Sequence, residues 1–370
     1  LSDAGEHVTA IVHQASHAGD LQNKGIAIVE ADVHDVDALR AAFRRGRRAF
    51  LLNPPAATST DTDREEHATA RAIVAALDGS GLEKVVVESA YGAQPGERIG
   101  DLSVLYDLEQ ALLNQPIPVT IQRAAYYMSN WDAVLDAAKG GTLPTMFPAD
   151  LKIPMVAPAD LGRAAAQRLR ELPRVEEPHY VEGPERYSAN DVAAAFAVAL
   201  EKAVTVEVTP RDRWVEAYRA LGFSDAAADS YARMTAVSVD DGFDTPAAPE
   251  RGETTLAAYI NALVGAADLR CRRGARAGER RDGVRLRWPH TAGRGAPVRG
   301  ARRRRGRSEP EPEPRPRRRR ERDREQQRQA RRRRGDVADV DGAGPAPLRD
   351  PRPRRAPRSA LGPAAPRRGR

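Results

Sequence analysis

The sequence predicts an α/β protein built on a doubly wound, mostly parallel sheet, with a small α+β lobe behind it and a disordered C-terminal tail. Three observations carry that expectation. Short apolar runs alternate with amphipathic segments of helical period along the first half of the chain, and that alternation specifies parallel crossover units. Charge changes sign along the chain: residues 1–265 hold 24 Lys and Arg against 39 Asp and Glu, whereas residues 266–370 hold 35 against 13. All 35 basic residues of the tail are arginines set among Pro, Gly and Glu. Almost no large apolar side chain is there to offset a backbone ordering cost of about 1–2 kcal/mol per residue. The net charge of +7 over 370 residues therefore describes neither part.

Each element follows from local pattern. "LSDAGE" reads as the last turn of a helix closed by Gly5, which takes the left-handed cap conformation without steric cost. A chain that opens on the tail of a helix is expected to have lost its beginning. "HVTAIVH" and "GIAIVEADV" read as strands, the second a near-continuous apolar run of the kind found in strands covered on both faces. "DVDALRAAFRRG" is a helix with Asp35 as N-cap and Ala38, Leu39, Ala42 and Phe43 at helical spacing. "RAFLLN" is a strand, and "DTDREEHATARAIVAALDGSG" is a long helix with acidic residues in its first turn, where the helix dipole favours them. "KVVVESA" and "PVTIQR" are strands around the helix "LSVLYDLEQALLN". "YYMSNWDAVLDAAKGG" is expected as a helix.

From about Ile153 the rhythm loosens. "PADLGRAAAQRLREL" is a helix, "PHYVEG" a short strand, "SANDVAAAFAVALE" a helix capped by Ser188, and "AVTVEVTP" a strand. Two helices surround "WVEAYRALGF" and "SDAAADSYARM", and a last amphipathic helix, "TTLAAYINALVG", is expected to end at Gly265. No run of about 18 apolar residues and no secretory leader pattern occurs, so neither a membrane span nor secretion is expected. The single cysteine, Cys271, leaves no partner for an intrachain disulfide, which is consistent with a cytoplasmic location.

Read together, "AIVHQASHAGDLQNKGIAIVEADVHD", "FLLNPP", "VVVESAYGA", "LEQALLNQPIPVTIQRAAYYMSNW" and "VAPADLGRAAA…HYVEGPERYSANDVAAA" resemble the NmrA-like branch of the atypical short-chain dehydrogenase/reductases. The resemblance covers residues 1 to about 265. It implies a Rossmann-like NAD(P)-binding domain over 1–152 that lacks its first strand, a substrate-side lobe over 153–265, and the tail beyond. In this family a strand and a glycine-rich turn precede the helix that ends in "LSDAGE", and the turn's amides hold the cofactor pyrophosphate. The absent strand is expected at the sheet centre, flanked by the "HVTAIVH" and "RAFLLN" strands.

The resemblance also implies roles. Asp32 stands where a carboxylate accepts from the adenine amine and Val33 covers the ring, with a turn-capping Asp as the competing reading. His13 and His17 lie by the adenosine ribose, and their partial positive charge leans toward NADP (or NAD). Leu52, Asn53 and Pro54 fall at the carboxyl end of a strand, where ligands bind in open sheets. Ser89 matches the serine that polarises a substrate carbonyl and also touches the cofactor. Tyr106 stands near the catalytic tyrosine, yet Gln110 occupies the place of its lysine partner and no Lys lies on that helix. Without that Lys the phenol is a poor acid at neutral pH. Tyr126, Tyr127, Met128 and Trp131 would line an aromatic substrate pocket, two or more of them serving the core instead, with Asn130 and Arg123 structural. No metal-ligand spacing or GxSxG elbow is present.

The expected function is an NAD(P)H-dependent oxidoreductase acting on a small carbonyl or quinone-like substrate. The alternative is a non-catalytic redox sensor. The arginine runs of the tail suit phosphate contacts with nucleic acid. The Arg, Pro, Gly and Ala bias of GC-rich codons reads instead as a frameshift beyond Gly265.

Overall fold

Why the first residues turn as they do is visible in the backbone. Ser2–Ala4 form a single 3-10 turn, and Gly5 at φ 79° closes it through an N–H bond to the Ser2 carbonyl. The computed structural model describes residues 1–173, 177–244 and 246–277, all within a unit spanning Leu1–Arg294. The elements that follow are β1 (Thr9–Val12), α1 (Gly19–Asn23), β2 (Ala27–Glu30), α2 (Val36–Phe43), β3 (Arg48–Leu51) and α3 (Thr62–Leu77). Next come β4 (Lys84–Ala90), α4 (Asp101–Leu113), β5 (Val119–Ala124), β6 (Tyr126–Tyr127), α5 (Leu135–Gly140), β7 (Thr142–Thr145) and β8 (Ile153–Val156). Then follow α6 (Pro158–Arg170), β9 (His179–Glu182), β10 (Arg186–Tyr187), α7 (Ala189–Ala199) and β11 (Thr205–Val208). The last are α8 (Trp214–Ala220), α9 (Asp225–Asp240), β12 (Glu250–Arg251) and α10 (Leu256–Ala277).

Caps set the helix starts as the sequence predicts. Asp35 accepts the Ala38 N–H at the head of α2, and Ser188 and Asp191 form a reciprocal capping box at the head of α7. The main sheet runs in the order β12-β9-β5-β4-β3 with every pair parallel. β1 and β2 form a separate parallel ribbon, so the strands expected to flank a central strand belong to two sheets. β6-β8-β10 and β7-β11 make two smaller sheets.

Two cores result. Leu39, Phe43, Ile73, Leu77, Leu108 and Leu112 of α2, α3 and α4 pack on Val85, Val87 and Ile121 of the main sheet. The second core gathers Met128, Trp131, Leu143, Met155, Phe196 and Ile260.

Two expectations are corrected. The segment from Tyr126 is not one helix: Tyr126–Tyr127 pair in parallel with Met155 and Val156, Met128–Val134 turn as 3-10, and only Leu135–Gly140 is α-helical. Adjacent aromatic residues favour the pleated strand, and 3-10 turns commonly lead into helices. The last helix does not stop at Gly265 but continues to Ala277. One interior Gly costs only about 1 kcal/mol, and the alanines after it are the best helix formers. The arginine-rich tail from residue 278 onward lies outside the described residues.

Candidate functional site

The carboxyl ends of β3, β4 and β5 lie side by side, which in an open parallel sheet is where ligands bind. Beyond β3, Leu52 remains 53% exposed. Asn53 is tied to α3: its Nδ2 donates to the Glu66 carbonyl at 3.2 Å and its Oδ1 accepts from Thr69 at 3.0 Å. The Ala56 N–H donates to Glu66 Oε1 at 2.9 Å, so the loop around Pro54 is clipped at both ends to one helix. Burial, with the Asp101 carboxyl beside it, pushes Glu66 up to about 8. Burial raises Asp101 as well. α9 covers this acid pair. The Gly100 N–H donates to Ser230 Oγ at 3.1 Å, and a side chain at Gly100, where φ is 57°, would collide with Met234.

Ser89 is buried, and its hydroxyl donates to Glu109 Oε1 at 2.5 Å. Arg123 grips the same carboxylate with two bonds, 2.9 and 2.7 Å, and donates to the Tyr180 hydroxyl at 3.1 Å. Ser89 thus closes a buried ion-pair network. Tyr106, half-buried on α4, sits one turn before Glu109.

Glu88 stands one residue earlier and points to the opposite sheet face. Gln122 Nε2 donates to its Oε2 at 2.8 Å and also to the Leu161 carbonyl at 3.2 Å. The half-buried Tyr127 hydroxyl donates to Glu88 Oε1 at 3.3 Å. Burial pushes Glu88 up to about 7, and burial together with Glu88 raises the Tyr127 phenol. Within the aromatic segment, Met128 and Trp131 are buried in the second core, as the competing packing reading anticipates. Tyr126 packs tilted against Trp131 and edge-on against Phe147, with ring centroids 5.9 and 5.5 Å away.

On the ribbon side, His13 is exposed. The side chain of His17 lies outside the described residues. Asp32 is exposed and accepts the His34 N–H at 2.9 Å, a local turn bond. Val33 packs half-buried against the first core. The structure therefore sets Leu52, Pro54 and Tyr127 around one edge, seats Asn53 and Ser89 in internal bonds, and leaves His13 and Asp32 on the ribbon.

Sequence reasoning missed the buried acids. For Glu88 the signal was present, because a charge inside the apolar run "KVVVESA" of a doubly covered strand requires a partner. For Glu66 it was the position on the same helical stripe as Thr69, Ala70 and Ile73. Among the described residues no cluster of His, Cys, Asp and Glu is placed to hold a metal, and no helix is long and apolar enough to cross a membrane.

Comparison with known proteins bears on family and fold. The chain is 20% identical over 241 residues to an NAD(P)H azoreductase of Xenophilus azovorans, covering 65% of this chain and 82% of that protein. The NADPH complex of the Escherichia coli NADPH-dependent quinone oxidoreductase QOR2 superposes with a TM-score of 0.56 at 24% identity, covering 69% of this chain and 89% of that one. The negative transcriptional regulator NmrA in complex with NAD gives 0.55 at 16% identity, covering 73% and 91%. At these identities the structures share the fold. The NmrA-like family model matches residues 1–245, more than half of the chain, and the protein belongs to the NmrA-like family.

Proposed function

We propose that this protein is a cytoplasmic NAD(P)H-dependent oxidoreductase that reduces a small carbonyl or quinone-like substrate. The observation that carries the reading is the chemistry of the carboxyl edge. Its polar groups Asn53, Ser89 and the Gly92 amide are spent on Glu66 and Thr69, on Glu109 and on Asp244. What remains there is apolar and aromatic: exposed Leu52 and the half-buried rings of Tyr126 and Tyr127. Such surfaces suit the flat rings at the ends of a nicotinamide dinucleotide and a planar substrate. Among the described residues no strand and glycine turn offers amides to the linking phosphates. The fit is therefore to the ring-bearing ends, with the adenosine end on the ribbon near Val33 and the nicotinamide end by Tyr127.

When bound, the reduced dinucleotide supplies the hydride. The chain's own residues orient the rings, exclude water with α9 over the β3 loop, and hold a proton at Glu88 and Tyr127. The azoreductase and quinone oxidoreductase relatives favour the same class of reaction.

A panel of quinones and aldehydes with NADPH and NADH tests the reading: steady oxidation of either cofactor with at least one substrate is the expected result. A second reading, the redox sensor, is favoured by the buried position of Ser89 and by Gln110 four places after Tyr106. Saturable dinucleotide binding without turnover on any substrate would select it.

A further inference from the structure

Reducing a carbonyl carbon with hydride leaves charge on its oxygen, which must take a proton within the site. Ser89 is bonded to Glu109 and is not placed to give one, and a lone phenol such as Tyr106, with no lysine on its helix, gives up its proton only where a stronger acid reloads it in the same step. We propose that Tyr127 is the proton donor of this site and that Glu88 reloads it, a two-residue relay running from the substrate edge into the sheet. The inference rests on the oxidoreductase reading above.

The geometry of the pair is specific. Tyr127 belongs to the aromatic segment at the carboxyl edge and is only half-buried, whereas Glu88 is 4% exposed and sits directly behind its hydroxyl at 3.3 Å. Gln122 fixes the carboxyl from the other side, and its own amide orientation is fixed by donating to the Leu161 carbonyl. Glu88 Oε1 is thereby left to face Tyr127. The groups around the relay are Tyr127 from β6, Gln122 from β5, the Leu161 carbonyl from α6 and, reaching Tyr127 by its charge, Asp101 at the head of α4. None of these is a cation, so nothing among them holds Glu88 ionised. Burial keeps it protonated up to about pH 7, as a proton source requires.

Hydride from the reduced dinucleotide bonds to the carbonyl carbon while the C=O π pair moves onto oxygen. The Tyr127 O–H breaks as the new O–H forms on the product. In the same step the Glu88 carboxyl proton passes to the Tyr127 oxygen, so that no free phenolate is left, and once product leaves a proton from solvent returns to Glu88 through that hydroxyl.

Infrared titration of the protein alone, together with kinetics, tests the relay. A buried carboxyl band titrating near pH 7 is expected; it should vanish in Glu88→Gln and shift in Tyr127→Phe. With a reducible quinone or aldehyde, Tyr127→Phe should lower kcat 100-fold or more with KM within about threefold, in the range typical for loss of a general acid. Wild-type kcat should fall about tenfold per pH unit above 7, and Glu88→Gln should lose that limb. Adding Glu88→Gln to Tyr127→Phe should cost little more than Tyr127→Phe alone. An active wild type whose Tyr127→Phe variant keeps its kcat within threefold overturns the relay alone, as does a titration in which Glu88→Gln removes no band near pH 7, the separate band of Glu66 near pH 8 being expected in every variant. A wild type inactive on every substrate overturns the functional reading, and the relay with it. Should Glu88→Gln not fold, the band and kcat of Tyr127→Phe still decide.

Discussion

The β1–β2 ribbon and the β4–β5 pair are parallel, aliphatic and similar in local sequence, yet their surroundings differ. None of the eight ribbon residues is buried, whereas six of seven in β4 and five of six in β5 are. β4 has a strand on either side and helices over both faces; β1 has β2 alone. Parallel strands are stable when both faces are covered. Ile11 on the ribbon is 36% exposed, and Phe50 on β3, the edge strand of the main sheet, is 42% exposed. Strand propensity is thus common to both regions, and what separates them is cover.

Breaking a buried ion pair should have the largest effect. Arg123→Ala leaves Glu109 charged and buried beside Ser89, at about 3–5 kcal/mol. Glu6→Ala, which removes an exposed 3.5 Å pair with Arg170 near the ribbon, should cost less than about 0.5 kcal/mol. Urea unfolding of both variants checks this contrast. The same deletion in two strands comes next: Ile121→Ala in β5, where the side chain is 2% exposed, should cost about 2–5 kcal/mol. Ile11→Ala on the ribbon should cost under about 1 kcal/mol, because it leaves no sealed cavity. Equal losses would erase the distinction.

Acid chemistry follows in size. Glu66 has a folded value of about 8 against an ordinary 4.5, so the folded state keeps a proton the unfolded chain has lost. Stability should therefore be fully present below about pH 4.5 as far as this group is concerned, and fall by about 2–4 kcal/mol as pH rises to 8. Thermal melts of Glu66→Gln should show a flatter dependence. The smallest difference between the two regions concerns caps: Asp35→Ala, next to the ribbon, and Ser188→Ala, in the second lobe, should each cost about 1 kcal/mol. Parity would show that the helix beside the ribbon is anchored as firmly as one far from it.

Much of the fold was legible in residue order. Gly5, Asp35 and Ser188 announce their turns and caps through local chemistry, and the alternation of strands and helices fixes a parallel sheet. β7 and β8, over "TLPT" and "IPMV", were not legible, because four-residue runs with an internal proline look like loops until a neighbouring strand pairs with them. The site was half legible. Family resemblance pointed to the carboxyl edge and to Tyr127, but the bonds that occupy Asn53 and Ser89 come from Thr69 and Glu109, 16 and 20 residues away. The partnership of Glu88 with Tyr127 spans 39 residues and depends on strand register, which no local pattern encodes.

On the proposed function, one dinucleotide spans both regions, its adenosine end on the loosely covered ribbon and its nicotinamide end on the packed sheet. A ligand that binds across a weakly held element stabilises that element most. Amide hydrogen exchange with and without saturating NADPH measures this directly. Thr9–Val12 and Ala27–Glu30 should slow by tenfold or more while Val85–Val87 stay unchanged. Saturable NADPH binding with exchange in the ribbon unaltered would contradict it.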